Sequence, residues 1–490
     1  MTPTTTGQVS DDVLGADLAR VHSLRIGGAA VAAEQSYDLL SPVDGSRIAQ
    51  IGLADEAQVD AAVRSAADAA LAWAGTAPAT RSGLLRAWAA LISEHKQELA
   101  ELASREMGKI MSECLGEIQR ALAEIDYAAG EAARLTGSTY PSATPGVLVY
   151  TTREPLGVVG AITPWNFPVV APVRKIAPAL AYGNAVVLKP ANQTPLCALA
   201  LADLLTQAGA PAGLLNVVTG TGRTGAALVS HPSVAGVSFT GSTAVGRSIA
   251  ATAGERLVPV QLELGGKNAV YVDASADLER AVPEIASAAL QASGQRCTAI
   301  SRVLAHRDIA DALVSELAAA FDAAALGAPD EPGVDIGPLV TPQHAASVRE
   351  HVERAVQAGA VPATRREPRT DAGFVTPVVL DQVTRTMDVA RSEVFGPVLS
   401  VLRVADLDEA IDVANEAEYG LAAVVFADSL ESSLAFVRGA RAGMVHVNHG
   451  TASQPHVPFG GVGASGLGAY SIGETGAEFF TQLKVAYVKP

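Results

Sequence analysis

Leu156-Gly157-Val158-Val159-Gly160-Ala161-Ile162-Thr163-Pro164-Trp165-Asn166-Phe167-Pro168 opens the part of the chain that decides the fold. An apolar run at 157–162 breaks at a proline-flanked turn, and a helical pattern follows at about 169–181. The cycle repeats, with apolar runs at 184–188, 214–218, 235–239 and 258–262 alternating with helical stretches at about 195–208, 222–230 and 242–253. Strand and helix in strict alternation imply right-handed crossovers and a parallel, doubly wound sheet of the nucleotide-binding kind. Ligands of such sheets bind beyond the carboxyl ends of the strands. Three stretches fall there: Pro164 to Pro168, Lys189-Pro190-Ala191-Asn192, and Thr240-Gly241-Ser242.

Upstream, apolar Val59, Ala62, Val63, Ala66 and Ala70 recur at helical spacing from Asp55, the expected N-cap, to Trp73. Amphipathic helices are expected at about Thr80–His95, Lys96–Met107 and Ser112–Leu135, covering a sheet. Residues 1 to about 20 read as frayed. The β-branched run Val147 to Arg153 reads as an exposed strand in need of a partner, and Phe479 to Val488 at the other end is strand-like and able to supply one. Downstream of Glu263 the alternation resumes, with strands near 269–272, 300–305, 398–404, 421–426 and 443–447, a second α/β domain. Gly327 to Gly337 and Pro362 to Gly373 are rich in Gly, Pro and charge and read as surface loops.

Composition narrows the function classes. The 490 residues suffice for two or three domains, and 49% hydrophobic with 18% charged residues suits packed cores rather than disorder. A formal net charge of -16 opposes nucleic acid and anionic membrane surfaces as partners. The three cysteines cannot form a disulfide framework, which points to a reducing cytoplasm. Met1 to Ser10 lacks the basic and apolar regions of a secretory leader, and no apolar run is long enough to span a membrane.

A lone cysteine is by default a small buried hydrophobe. Cys114 and Cys197, in helix-forming runs, take that reading. Cys297 differs, because Gly294-Gln295-Arg296 places a glycine and a cation beside it. Nearby positive charge lowers the pKa of a thiol, so Arg296 is expected to favour the thiolate.

Six stretches together resemble the signature set of the NAD(P)-dependent aldehyde dehydrogenase superfamily. They are Pro164 to Pro168, Phe239-Thr240-Gly241-Ser242, Glu263-Leu264-Gly265-Gly266-Lys267-Asn268, Gly294 to Cys297, Glu393-Val394-Phe395-Gly396-Pro397 and Pro458-Phe459-Gly460-Gly461, in family order from about residue 20 to the end. The resemblance implies a Rossmann-type nucleotide-binding domain at 20–130 and 153–263. It further implies a second α/β catalytic domain at 264–462 and an oligomerisation arm at 131–152 and 477–490, in a homodimer or homotetramer. Cys297 would attack the aldehyde carbon, Asn166 with the Cys297 backbone N–H would hold the oxyanion, and Glu263 would activate water against the thioester. No metal is implied.

For the cofactor, Gly241 and Ser242 open a helix after a strand, so Gly241 to Gly246 is expected to be the phosphate turn. Gly220-Thr221-Gly222-Arg223-Thr224-Gly225 also spells GxGxxG, and by family position it would sit nearer the adenine, with Gly225 in reach of the cofactor. Lys189 and Glu393 resemble the residues that hold the two riboses. Ile162, Thr163, Pro164, Trp165, Phe239, Leu264 and Phe395 complete the implied cofactor positions. Asn192 stands where NAD-preferring members commonly carry Glu, so NADP is expected to be tolerated or preferred.

Substrate choice is read from Arg174, eight residues after Asn166, with Ser453, Phe167 and Phe459. The guanidinium of Arg174 can snorkel to solvent or offer a fork to a substrate carboxylate. With Ser453, a pairing similar to that of succinate semialdehyde dehydrogenases, it favours an acidic semialdehyde such as succinate or 2-oxoglutarate semialdehyde. Two departures limit this, the first leaving an aromatic aldehyde possible and the second leaving open whether Glu263 works alone. Gly463-Ala464-Ser465-Gly466 lacks a lysine frequent in the family, as in benzaldehyde-type members, and Ser471 replaces a second glutamate. An aromatic aldehyde, a CoA-acylating reaction and a catalytically silent scaffold are the rival readings; Glu263 argues against the second, and Cys297, Glu263 and Asn166 together against the third.

Overall fold

The computed structural model describes residues 13–14, 20–369, 371 and 373–490. The reading of the first ten residues lies outside them. Two large sheets organise the chain. The first runs in the order Gly466–Leu467, Val260–Glu263, Gly236–Thr240, Val158–Ile162, Ala185–Lys189, Leu215–Val217, Leu24–Ile26, Ala29–Val31. Its five middle strands are parallel, as the alternation requires, and the outer strands join antiparallel. In the parallel registers Ile162 pairs with Lys189 and Phe239, and Thr240 with Glu263, so all these residues leave the sheet along one carboxyl edge.

The inner strands are buried on both faces. Val159, Val186, Val187, Leu188 and Val237 have no exposed surface, each contributing about 1.5–3 kcal/mol of burial. Helices Glu56–Ala74, Pro78–Glu94, Lys96–Met107 and Met111–Glu131 form the upstream layer. Asp55 caps the first of them through a reciprocal box with Gln58. Two buried carboxylates of this layer cap helices of the sheet domain: Glu106 accepts from Leu196 N (2.6 Å) and Cys197 N (3.1 Å), and Glu117 from Val169 N (2.7 Å) and Val170 N (2.9 Å). Burial raises the Glu106 carboxyl to about 7 against these helix donors.

The second sheet runs Val361–Pro362, Val378–Asp381, Val398–Val404, Ile300–His306, Asn268–Val272, Ala422–Phe426, Met444–Val447, parallel except for the first strand. Alternation along one strand feeds two cores, Ala269 and Tyr271 on one face and Val270 and Val272 on the other. The expected pairing of the two arm segments is present. Leu148–Pro155 and Thr481–Val488 run antiparallel in continuous register, with Thr139–Tyr140 on the far edge.

Two expectations need correction. The first firm pattern was expected at Asp55, but five short strands lie between Val21 and Leu53, two of them extending the first sheet and others forming the hairpin Gln35–Leu40 with Arg47–Leu53. They are short edge elements with mixed burial, and their apolar pattern is too weak to register alone. Strands Val361–Pro362 and Val378–Asp381 were likewise not anticipated, the first ending on the opening residue of a stretch read as loop. Among the described residues no helix is long and apolar enough to cross a membrane.

Candidate active site

Cys297 follows a strained turn. Ala292, Ser293 and Gly294 have φ of 54°, 57° and 73°, three consecutive left-handed residues of which only the last avoids a Cβ penalty. A side chain on Gly294 would collide with the Gly396 carbonyl. Strain of about 1–3 kcal/mol per non-glycine residue persists only where surroundings impose it. Here Ala292 N donates to Glu113 (2.8 Å), Ser293 Oγ to Gly337 O (2.9 Å), and Val340 N to the Gln295 side chain (2.9 Å). Beyond the thiol, Asn268 Nδ2 donates to Cys297 O (2.7 Å) and Ala299 O (2.8 Å). Gly266 leaves room for the Cys297 carbonyl that a Cβ would strike.

Arg296 pulls the Cys297 thiol toward the thiolate as expected, but the pull is outweighed. Its guanidinium turns to Gln291, Thr298 (3.0 Å) and the Thr451 carbonyl and hydroxyl (2.9 and 3.0 Å). Burial, with Glu263 and Glu393 nearby, pushes the Cys297 thiol up to about 11, outweighing the opposing pull of Arg296 and Arg174. The thiol is therefore held protonated and needs a base.

Asn166 lies in the turn between strand Val158–Ile162 and helix Val170–Ala181. One N–H of its amide donates to Gln295 O (2.8 Å), leaving the other to the cavity it shares with Cys297. The Cys297 backbone N–H donates to no other described residue. Glu263 ends its strand, is 5% exposed, and lines the same cavity with Oε2 lacking any hydrogen-bond partner. Burial raises its carboxyl pKa against Lys175, Arg174 and Ser471, which favour the charged form. Lys175 is itself buried on Ser238 Oγ (2.9 Å), and desolvation lowers its pKa.

This cavity, about 290 Å³, gathers Asn166, Phe167, Arg174, Glu263, Leu264, Cys297, Glu393, Phe395, Ser453 and Phe459 from the sequence-expected set. Phe167 and Phe459 are its aromatic walls. Arg174 reaches the cavity with its fork engaged: Nε and Nη2 donate to the two Glu124 oxygens at 3.1 and 2.5 Å, and its Cζ stands 4.8 Å over the Phe459 ring. The free fork expected for a substrate carboxylate is thus already closed by Glu124. Sequence reasoning missed Arg120, which also lines the cavity. Its signal was one cation in an amphipathic helix, indistinguishable from a solvated face.

An open groove of about 1250 Å³ adjoins the cavity and shares Pro164, Trp165, Thr240, Gly241 and Ser242 with it. Ile162, Thr163, Lys189, Asn192, Gly225 and Phe239 line it, as does Arg223, an exposed cation the sequence reading left unused. Both glycine turns therefore face one groove. Gly241 N donates to Glu263 O (3.0 Å), so the free donors of the turn begin at Ser242, where helix Thr243–Glu255 starts. Gly246 lines neither cavity; its missing side chain leaves space for Leu264. Glu393, expected at a ribose, accepts from Gly266 N (2.8 Å), and burial raises it to about 7. Trp165 stacks edge-on against Phe395 (5.4 Å) and His344 (5.8 Å), bracing the junction.

The groove fits a dinucleotide on its own features. Thr163 Oγ1 is buried without a partner, Lys189 is 7% exposed and forms no ion pair with a described residue, and a helix N-terminus opens onto the same surface. Burial alone lowers Lys189 to about 8. Among the described residues no group of three His, Cys, Asp or Glu side chains could hold a metal.

Comparison with known proteins agrees with this layout. The model of the aldehyde dehydrogenase family matches residues 30–486. The chain is 38% identical to an alpha-ketoglutaric semialdehyde dehydrogenase of Bacillus subtilis over 439 residues, 88% of this chain and 90% of the relative. It is 39% identical to a benzaldehyde dehydrogenase [NAD(+)] of Pseudomonas putida over 447 residues, 91% of each. A crystal structure of an E. coli NADP dependent enzyme superposes with a TM-score of 0.93 at 35% identity, covering 96% of this chain and 99% of the other.

Proposed function

The chain belongs to the aldehyde dehydrogenase family, an NAD(P)-dependent aldehyde oxidoreductase, and on that premise we propose that its substrate is an acidic semialdehyde, oxidised to the dicarboxylate through Cys297. The observation that carries this reading is the cations of the pocket: Arg120, Arg174 and Arg296 line the cavity that holds Cys297, against Glu263 and Glu393, and of the three only Arg174 is closed by a carboxylate fork. The semialdehyde relative supports it; the benzaldehyde relative and the Phe167 and Phe459 walls support an aromatic aldehyde as the second reading.

Chemistry follows from the proton inventory. A thiol held near 11 gives up its proton only to a nearby base, and Glu263, unpartnered at Oε2 and raised by burial, accepts it as sulfur bonds to the aldehyde carbon. The carbonyl oxygen becomes an oxyanion held by the free Asn166 N–H and the Cys297 N–H. Lys189, Thr163 and the helix starting after Ser242 would hold NAD(P)+ in the groove, where it would supply the hydride acceptor for the oxidation. A thioester on Cys297 remains; Glu263, once it has released the thiol's proton to solvent, takes a proton from water as that water adds to the thioester and returns it to the departing sulfur, so that the acid and the thiol are released. With the neutral Asn192 at its position, Lys189 and Arg223 face Glu56 as the carboxylate in the groove lining, a balance of charge that favours tolerance of a 2′-phosphate.

A stoichiometric burst of NAD(P)H is expected with succinate or 2-oxoglutarate semialdehyde, abolished in Cys297→Ala, with benzaldehyde and hexanal turned over less efficiently. A wild-type preference for benzaldehyde would install the aromatic reading instead. Loss of the burst in Cys297→Ala with unchanged cofactor affinity would assign the defect to the nucleophile alone.

A further inference from the structure

Three arginines reach the cavity, and their hydrogen bonding separates them. Arg174 gives Nε and Nη2 to Glu124 and lies over Phe459. Arg296 spends its guanidinium on Gln291, Thr298 and Thr451. Arg120, on helix Met111–Glu131, lines the cavity, is only partly exposed, and has no acceptor within hydrogen-bond distance among the described residues. Glu124 stands four residues further along the same helix, placed to pair with it, yet commits both oxygens to Arg174. Arg120 thus sits partly desolvated beside a second cation, and both burial and Arg174 lower its pKa. A guanidinium in that state carries five unused donors in a fixed plane, the complement of a carboxylate.

We infer that Arg120 is the specificity-determining residue, its guanidinium receiving the carboxylate at the far end of the substrate while Arg174, closed by Glu124, serves as a charge-balanced wall. The inference rests on the acidic-semialdehyde reading and replaces Arg174 as its anchor. A neutral aldehyde leaves Arg120 unpaired, so the pocket discriminates by the anion rather than by shape alone.

The test measures kcat/KM for two matched pairs, succinate semialdehyde against butanal and 4-carboxybenzaldehyde against benzaldehyde, in wild type, Arg120→Gln, Arg120→Lys and Arg174→Gln. Wild type should favour the acid of at least one pair. Arg120→Gln should lose about 30-fold or more for the acids, mainly through KM, and far less for the neutral aldehydes, so that the acid-to-neutral ratio of kcat/KM collapses. Arg120→Lys should restore part of the loss, because it returns the charge without the fork. Melting temperature and the NAD(P)H burst with butanal monitor folding. Equal losses for acids and neutrals in Arg120→Gln would overturn the inference as a structural effect. Acid preference kept in Arg120→Gln, or lost instead in Arg174→Gln, would overturn it while sparing the acidic-substrate reading. A wild-type enzyme with no acid preference would remove that reading and the inference together.

Discussion

The groove and the pocket meet at Trp165, but they are made of different materials. The groove is framed by strand ends and helix starts: Ile162 and Lys189 close two strands, Thr163 follows the first, and Ser242 stands before a helix. The pocket is lined by side chains from segments far apart in sequence, Arg120, Arg174, Glu263, Cys297 and Ser453, and Arg174 among them is held by Glu124. The frame is set once the sheet forms. A side-chain surface depends on every pairing behind it, so single substitutions should disable the pocket and leave the groove intact.

The largest test of that contrast is Glu263→Gln. Both proton transfers assigned to Glu263, from the thiol as it attacks and from the water that hydrolyses the thioester, should slow by about 10²- to 10⁴-fold, the range for a positioned general base. Cofactor affinity should hold, because the residue lies on the pocket side. Glu263 is also one of the charges that raise the Cys297 pKa. Its neutral replacement should therefore move the midpoint of Cys297 alkylation by iodoacetamide to lower pH. A midpoint moving upward would mean that Glu263 assists the thiolate instead of opposing it.

Glu124→Gln should act next most strongly, on stability. Arg174 and Glu124 have side-chain exposures of 14% and 3%, so removing one charge strands the other. Breaking such a buried pair costs about 3–5 kcal/mol. Urea unfolding would measure it, with NAD(P)+ affinity as the groove-side control. A cost near zero would mean that Arg174 finds solvent, and the pocket would then be as tolerant as the groove.

The same contrast explains what could be read from the amino acids alone. The parallel sheet was legible because each strand and helix announces itself within about a dozen residues, and Ile162, Lys189 and Thr240 fall at strand ends by counting. Cys297, Asn166 and Glu263 were legible through the company of their motifs. The charge state of the thiol was not, since burial, with Glu263 and Glu393 brought near from elsewhere in the sequence, outweighs the pull of the adjacent Arg296. Nor was the closure of Arg174 by Glu124, 50 residues upstream, or the unpaired state of Arg120 that follows from it. Short edge strands before Leu53 escaped for a related reason: their partners, not their own pattern, make them strands.

The smallest expected effect belongs to the groove and concerns Lys189. Desolvation lowers its pKa from the ordinary lysine value to about 8. The ammonium is therefore present below that pH and lost as pH rises through it. If Lys189 holds the cofactor by charge, NAD(P)+ affinity should be greatest below pH 8 and weaken above it. The change should be about fivefold, the effect of one ion contact worth about 1 kcal/mol. Fluorescence titration of the cofactor between pH 6 and 9.5 would show the step, and Lys189→Met should flatten it at the weaker level. A step that survives in Lys189→Met belongs to another group. Affinity that rises with pH would mean that the neutral amine is the binding form, and the groove would then rely on backbone donors alone.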